Sequence, residues 1–317
     1  MGSKLYNIKK TQDQKYKIKV PGSLMLFGEH AVLHGSLAIV YAVKRYITVT
    51  LTPRLDEFIN IKSNLLGNFR LKITNFKIQA PWELVLTAIA SQLKKLPNGF
   101  NLIIESDFSA QIGLGSSAAV VVAIIKVLKQ WLEGHDKNAI AVVKAARKVI
   151  RAVQGVGSGA DVAASVFGGV ISYQMQPLAI NRLLSELPLV AVYSGNKVPT
   201  KKVIQKVNLI QAQHTKIFKS IFAAIDNCTR SALIAIHNKD WQKLGQLMNI
   251  HQGLQDAIGV NNSILSELIF SLRQNPNIYG AKISGSGLGD CVIGLGTLPT
   301  NYFPQNTRQK RLGVKQL

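Results

Sequence analysis

Residues 112–119 read Ile112-Gly113-Leu114-Gly115-Ser116-Ser117-Ala118-Ala119, and this glycine-rich stretch decides the fold. It lies between a short apolar segment, Leu102–Glu105, typical of a strand, and a run that is apolar nearly all round, Ser117–Leu132, which predicts a central helix. The N–H groups of such a loop point at whatever lies at the positive end of the helix. The stretch therefore predicts either a phosphate site or, with equal weight, an ordinary capped helix start. Its serine hydroxyls are suited to capping or to Mg²⁺.

Two other phosphate motifs do not fit this stretch. A P-loop requires a lysine after its last glycine, whereas Ala118 and Ala119 follow the serines. A dinucleotide-binding turn fits the spacing Gly113-x-Gly115-x-x-Ala118, but it also needs an acidic residue about 20 positions later, at the end of a second strand. Glu133 is at that distance but ends a predicted helix that another helix follows. A dehydrogenase is therefore excluded.

Glycine is concentrated in two further segments, residues 155–161 (Gly-Val-Gly-Ser-Gly-Ala-Asp) and residues 284–290 (Ser-Gly-Ser-Gly-Leu-Gly-Asp). Clusters of glycine indicate places where the backbone has a positive φ or approaches another group closely. Asp161 precedes a small apolar helix over Val162–Val166, where it acts either as an N-cap or as a general base. The segment 284–290 lies between two predicted strands and holds more glycines than a hairpin needs.

The remaining pattern predicts an α+β protein. Strands are expected at Tyr16–Val20, Tyr46–Leu51, Phe58–Lys62, Phe69–Ile73, Leu102–Glu105, Leu189–Tyr193, Ala281–Ser284 and Cys291–Leu295. Helices are expected over residues 82–96, 117–132 and 136–153 and over most of the chain from Tyr193 to Arg273. Strands first and a mixed order later favour α+β over a regular βαβ series. We place a domain boundary near residue 180, which gives domains 1–180 and 181–317.

Composition limits the class of protein. The 317 residues are 47% hydrophobic and 17% charged, which predicts a folded chain of about two domains. No apolar run reaches the about 20 residues of a membrane span, and no secretory signal is recognisable. Two cysteines, Cys228 and Cys291, are too few for a disulfide framework, so a cytoplasmic location is expected. The net charge of +22, with lysines crowded in the first 19 residues, favours an anionic partner: nucleic acid, membrane or a phosphorylated small molecule.

Three segments together resemble a known family. Val20-Pro21-Gly22, followed by Phe27-Gly28-Glu29-His30-Ala31-Val32-Leu33-His34-Gly35, resembles the first motif of the GHMP small-molecule kinases. Ile112–Ala119 is similar to their second, ATP-binding motif, and Lys282–Cys291 to their glycine-rich third motif. The motifs occur in the family's order and spacing. Within the family, Phe27–Val32 is most similar to the mevalonate kinases.

The resemblance implies a fold, two cofactors and a set of site residues. It implies an N-terminal domain like ribosomal protein S5 domain 2 and a ferredoxin-like C-terminal domain. It also implies that the protein uses ATP with Mg²⁺ and that Asp161 is the base that takes the proton of the substrate hydroxyl. By analogy Ser117 is the Mg²⁺ ligand, and Glu29 and His30 line the acceptor site with Ser23 and Thr200. The ATP-binding residues implied are Gly113, Leu114, Gly115, Ser116, Ser117, Ala118, Gly285, Ser286 and Gly287.

The sequence departs from the mevalonate kinase pattern at two positions. Ser23 stands where those kinases carry a lysine near the catalytic aspartate, and a neutral hydroxyl does not replace a cation there. Lys197, in Gly195-Asn196-Lys197-Val198-Pro199-Thr200, is our candidate for the missing charge, because this stretch resembles an acceptor-site loop of the family. Ile150 stands where those kinases carry a Mg²⁺-ligating glutamate.

Several alternatives stay open at the level of sequence. Gln154–Ser165 and Gly289–Cys291 look more like phosphomevalonate kinases, so phosphomevalonate is the second candidate acceptor after mevalonate. A decarboxylase relative on the same fold is a third candidate. A basic nucleic-acid-binding protein is disfavoured, because the basic residues lack interleaved aromatic residues and no recognition motif is present. A homodimer is expected from the resemblance.

Overall fold

The computed structural model describes residues 14–134, 138–299 and 302, together with the backbone of 315–316. Most of the N-terminal lysine-rich arm therefore lies outside the described residues. The strands are β1 (Tyr16–Phe27), β2 (Ala38–Pro53), β3 (Phe58–Ser63), β4 (Gly67–Lys72), β5 (Phe100–Ser106), β6 (Val170–Gln174), β7 (Ala179–Leu184), β8 (Leu189–Tyr193), β9 (Ile278–Ser284), β10 (Cys291–Gly296) and β11 (Lys315–Gln316). The α-helices are α1 (Glu83–Ala90), α2 (Ser116–Glu133), α3 (Ala139–Gln154), α4 (Ala160–Phe167), α5 (Thr200–Gln213), α6 (Thr215–His237), α7 (Trp241–Ala257) and α8 (Ser263–Arg273).

The described residues form two compact units, each made of several stretches of chain. The first unit comprises the described parts of residues 1–22, 44–110 and 115–166, and the second comprises residues 23–43, 111–114 and the described part of 167–317. The second unit thus takes in two early segments as well as the C-terminal half. The predicted boundary near residue 180, a single cut between family domains, stays a prediction.

In the first unit a sheet contacts the central helix, because the Phe100 ring of β5 packs edge-on against the Trp131 ring of α2. Here β3 pairs antiparallel with β4 and parallel with β5, and β5 pairs antiparallel with residues 47–53 of β2. The alternation along β2 produces a two-faced strand, because Ile47, Val49 and Leu51 are buried while the threonines between them stay partly exposed. The central helix α2 buries nine apolar side chains, as expected for a run that is apolar nearly all round.

The second unit holds two groups of strands. Residues 38–41 of β2 pair antiparallel with β6, and β6 continues into a hairpin with β7. A separate sheet has the order β11-β8-β10-β9 and is antiparallel throughout. Helix α8 packs on this sheet through Leu265, Leu268 and Ile269, which share a buried cluster with Val192 and Ile283.

The α+β class is confirmed, and two details of the sequence prediction are wrong. The helix expected over residues 82–96 ends at Ala90, and a separate turn of 3₁₀-helix follows at Leu93–Lys95. The Ser91 hydroxyl donates to the Ala88 carbonyl at 2.6 Å, which competes with continuation of the helix. Strands β6 and β7 were not predicted.

No helix in the described part of the chain is both long and apolar enough to cross a membrane.

Candidate active site

The first glycine loop lies against the end of the third glycine loop within the second unit. Gly113 has a φ of +72°, and a Cβ atom added there would lie 2.7 Å from Cβ of Asp290, closer than real side chains approach. The Cys291 thiol donates to the Ile112 carbonyl at 2.9 Å. Only glycine therefore fits at position 113, and residues 112 and 113 are held by Asp290 and Cys291.

Asp290 also joins the loop that carries Lys197. The Asp290 carbonyl accepts from the Ser194 N–H at 2.9 Å, and the Asp290 N–H donates to the Asn196 carbonyl at 2.8 Å. Burial, and after it the charge of Asp290, raises the pKa of the Cys291 thiol, whereas the charge of Lys197 lowers it. Lys197 is itself exposed. The fold thus brings Lys197, Gly113 and the third glycine loop together.

Ser23, the residue in the place of the motif lysine, is buried. Its exposed fraction is 1%, and its backbone N–H donates to the Leu114 carbonyl at 3.0 Å. This contact ties the C-terminal half of β1 to the first glycine loop.

Glu29 lies in a buried ion pair. Only 1% of it is exposed, and its Oε1 accepts from Nζ of Lys282 at 2.5 Å, in β9. Burial by itself raises the pKa of Glu29. The charge of Lys282, helped by His251 and by hydrogen bonds from Lys282 and the backbone, outweighs burial, so the pKa lies below its ordinary value. The carboxylate is therefore charged at neutral pH, and it faces His251 on the other side at 3.4 Å.

His30 contacts the third glycine loop directly. Its Nε2 lies 2.9 Å from the Ser286 carbonyl, and only 6% of the residue is exposed. A carbonyl only accepts, so Nε2 carries the proton and donates. Burial lowers the pKa of His30, which keeps the ring neutral. Gly287 has a φ of +86°, and a Cβ atom there would lie 2.5 Å from the Val260 carbonyl, so this turn is also closely packed.

Thr200 is the first residue of α5. The N-cap is Pro199, with no side-chain cap bond, and Thr200 is exposed.

The rest of the predicted ATP loop belongs to the first unit, at the start of α2. Gly115 is the N-cap with a φ of 62°, no side chain caps the helix, and the N–H groups of Ala118 and Ala119 donate to the Gly115 carbonyl. Ser116 and Ser117 are half-buried, and the first N–H groups of a helix have no acceptor inside it. An anion at this helix start is favoured by those donors and by the helix dipole.

Asp161 lies in the first turn of α4, also in the first unit, and is half-buried. At the start of this helix the Ser158 hydroxyl accepts from the Ala160 N–H at 3.2 Å. The dipole of a helix favours a carboxylate in its first turn. Ile150 is buried, with 8% of it exposed. A Cβ atom added at Gly157 would lie 3.4 Å from the Ile150 side chain, so apolar carbon lies beside the loop at Gly157.

Sequence reasoning did not assign Lys282, His251 or Asp290 a role. His251 is fully buried. The one available signal was Lys282, a charge between the apolar residues Ala281 and Ile283 in the predicted strand Ala281–Ser284. In the described residues, no group of three or more histidine, cysteine, aspartate or glutamate side chains is arranged to hold a metal ion.

Comparison with known proteins gives matches to one family along the chain. Residues 83–169 match the family model described as GHMP kinases N terminal domain, and residues 232–301 match that described as GHMP kinases C terminal. The mevalonate kinase of Aeropyrum pernix is 31% identical over 287 residues, which cover 88% of this chain and 88% of that protein.

Solved structures of two different kinases match this fold equally well. The Methanococcus jannaschii mevalonate kinase matches with a TM-score of 0.77 at 22% identity, covering 96% of this chain and 98% of that one. The Streptococcus pneumoniae phosphomevalonate kinase, in complex with phosphomevalonate and AMPPNP, also matches with a TM-score of 0.77, at 19% identity and 95% and 98% coverage. Equal scores at such identities show the fold alone.

Proposed function

The chain belongs to the GHMP kinase family, and from this membership we propose that it transfers the γ-phosphoryl group of ATP to the hydroxyl group of mevalonate. The observation that carries the proposal is the 31% identity to a mevalonate kinase over 88% of both chains. Since similarity over nearly the whole length includes both family domains, it supports the complete enzyme rather than a shared nucleotide-binding part.

The two glycine loops are proposed to bind the phosphates of ATP. The start of α2, Gly115–Ala118, offers N–H donors at the positive end of a helix. Gly113 and Leu114 precede it, and Gly113 has no side chain. Gly285–Gly287 belong to the same proposal as a second loop. A glycine-lined backbone suits a triphosphate because it lets donors come close to oxygen atoms without side chains between them.

Asp161 is proposed as the base. The substrate hydroxyl oxygen forms a bond to the γ-phosphorus, the bond from that phosphorus to the ADP oxygen breaks, and the hydroxyl proton goes to the Asp161 carboxylate. Such a transfer depends more on positioning and charge neutralisation than on covalent chemistry. The first-turn position on α4 supports this role, because the helix dipole favours the ionised carboxylate.

Lys197 is proposed to supply the cation that Ser23 does not. Ser23 is buried, so it contributes to the site through its backbone bond to Leu114. Lys197 is exposed and lies on the loop that Asp290 joins to Gly113. A cation there stabilises charge that develops on the transferring phosphoryl group.

The acceptor is proposed to contact His30 and Thr200. The proton on Nε2 of His30 is engaged by Ser286, so Nδ1 of the neutral ring is the atom left to accept from a hydroxyl. Thr200 offers an exposed hydroxyl. Glu29 is 1% exposed and paired with Lys282, so its proposed contribution is to shape this site rather than to bond the acceptor.

Magnesium fits the oxygen donors of the first unit. The Ser117 hydroxyl is an oxygen donor of the kind that Mg²⁺ accepts, and this ion usually keeps several waters and phosphate oxygens as further ligands. Ile150 contributes no oxygen, so we propose that Ser117 holds the ion together with ATP oxygens and water. When bound, the ion neutralises phosphate charge.

The homodimer expected from the resemblance is a further proposal, tested by sedimentation velocity.

The test is ADP release by purified protein with Mg²⁺-ATP and three acceptor conditions: mevalonate, phosphomevalonate and none. Turnover with mevalonate alone is expected. Turnover with phosphomevalonate alone would replace the proposal by its second candidate, and turnover with neither would reject both. Release of carbon dioxide from a diphosphorylated acceptor would instead identify the decarboxylase chemistry.

A further inference from the structure

Three ionisable side chains form a buried cluster in the second unit. Glu29 follows β1, His251 lies on α7 and Lys282 lies on β9, and their exposed fractions are 1%, 0% and 0%. Charged groups are almost never fully buried unless they are paired, and removing one partner of a buried pair costs about 3–5 kcal/mol. The cluster therefore needs a reason beyond general stability, since apolar residues of similar volume often stabilise equally well.

The contacts of the cluster converge on one turn, residues 28–30. Nζ of Lys282 donates to Glu29 and also to the Ile283 carbonyl. The Gly28 N–H donates to Nε2 of His251 at 3.1 Å. The turn is thus bonded on one side to a helix and on the other to the strand that leads into the third glycine loop.

This turn has an unfavourable backbone. Gly28 has a φ of +89°, and a Cβ atom there would lie 2.2 Å from the Leu37 carbonyl oxygen. His30 has a φ of 60° although it carries a side chain. A positive φ costs glycine little, but at a residue with a side chain such as His30 it costs of order 1–3 kcal/mol and persists only where the surroundings hold it. The cluster fixes the backbone immediately before His30, because His251 bonds Gly28 and Lys282 bonds Glu29.

The hydrogen bonds fix opposite tautomers on two histidines. Because Nε2 of His251 accepts from Gly28, it carries no proton, and the proton of this ring is on Nδ1. Burial, and after it the charge of Lys282, lowers the pKa of His251 to about 4, so the ring stays neutral near pH 7. His30 has the reverse arrangement, with its proton on Nε2 for the Ser286 carbonyl.

We propose that His251, together with the Glu29–Lys282 pair, is a positioning device that holds the turn at residues 28–30 so that His30 bonds Ser286 and fixes the third glycine loop. None of the three is proposed to touch a reacting atom. The effect on catalysis rests on the proposed kinase function, whereas the effect on His30 does not depend on it.

The experiment compares three variants. His251→Gln keeps an acceptor near the place of Nε2, and His251→Leu removes it at similar size. Asp240→Ala is the matched control. Asp240 is exposed, lies outside the cluster and caps the same helix by accepting from the Lys243 N–H at 2.9 Å. Its replacement is expected to destabilise α7 by about 1 kcal/mol. Each variant is measured by urea unfolding, by kcat and KM, and by ¹⁵N NMR of the histidine rings, with His30 assigned through His30→Gln.

The expected result is a split between the variants. His251→Leu should lower kcat about 10²-fold, the loss typical of a misplacement of about 1 Å, and the His30 signal should become that of a ring exchanging between tautomers. His251→Gln should restore kcat to within about threefold and keep the His30 signal. Asp240→Ala should keep both.

Three results would overturn the inference. One is an unchanged His30 signal and kcat in His251→Leu. Another is a loss of kcat in Asp240→Ala as large as that in His251→Leu. The third needs no variant: a proton on Nε2 of His251 in the wild-type protein rules out the bond from Gly28. If the wild-type protein does not phosphorylate mevalonate, the proposed function fails, and the His30 signal alone still decides the positioning role.

Discussion

Replacing Gly113 by alanine should harm the protein more than the same change at Gly35. Both glycines have a positive φ, +72° and +91°, so either alanine is strained by about 1–2 kcal/mol. A Cβ atom at Gly35 meets nothing within 4 Å, whereas one at Gly113 lies 2.7 Å from Cβ of Asp290. Since carbon atoms pack at about 3.5–4.0 Å, the loop or Asp290 must move by about 1 Å.

That movement has two measurable consequences. Overpacking of this kind costs about 1–3 kcal/mol, so Gly113→Ala should lose about 2–5 kcal/mol of unfolding free energy and Gly35→Ala about 1–2. A shift of about 1 Å in a loop that we propose to bind ATP phosphates should lower kcat/KM for ATP about 10²-fold in Gly113→Ala only. Urea denaturation and steady-state kinetics measure the two effects. Equal losses of stability in both variants, with unchanged kcat/KM for ATP, would refute the reasoning.

Three further predictions concern charge and thiols. Lys197→Ala should lower kcat about 10²–10³-fold while the neighbouring Lys201→Ala does not, and equal kinetics would remove Lys197 from the site. The pKa of His251 is about 4 in the folded protein, against an ordinary value of 6.5. Between pH 4 and pH 6.5 the unfolded chain therefore binds more protons than the folded protein. The free energy of unfolding should accordingly fall as the pH is lowered from 6.5 to 4. His251→Gln should flatten this slope in urea titrations, and an unchanged slope would contradict the assignment. Burial raises the pKa of the Cys228 thiol to about 11 and also raises the pKa of the Cys291 thiol. Iodoacetamide at pH 8 should therefore label neither thiol before urea is added. Labelling of either thiol in the folded protein would contradict this burial.

Periodicity in the sequence was sufficient to predict most elements of the fold. The strand over Leu189–Tyr193 was predicted with the observed bounds, and the helix expected over residues 117–132 is observed at Ser116–Glu133. Long apolar patterns of one period are reliable because burial of one face determines them. Strand β7 was missed because its side chains are exposed or half-buried, so it shows no apolar period. The helix from residue 82 was extended too far because the bond from Ser91 to Ala88 is invisible to periodicity.

Glycine marks part of the candidate site in the sequence, whereas the buried ionisable residues of the site have no such signal. The three glycine clusters pointed to loops that bind through the backbone, and the structure brings two of them together at Gly113 and Asp290. The cluster joins Glu29 to His251 and Lys282, which lie more than 200 positions later in the chain, and nothing local to Glu29 indicates them. Only the tertiary fold creates their shared burial.

The most direct test of the central claim is ³¹P NMR of a reaction with Mg²⁺-ATP and mevalonate, for the wild-type protein and Asp161→Asn side by side. The expected result is a new phosphomonoester signal that grows in step with ADP for the wild-type protein, and none for Asp161→Asn, although this variant still binds a fluorescent ATP analogue. An equal signal in Asp161→Asn would contradict the role of Asp161 as the base. No signal from wild-type protein that binds ATP would contradict phosphoryl transfer to mevalonate itself.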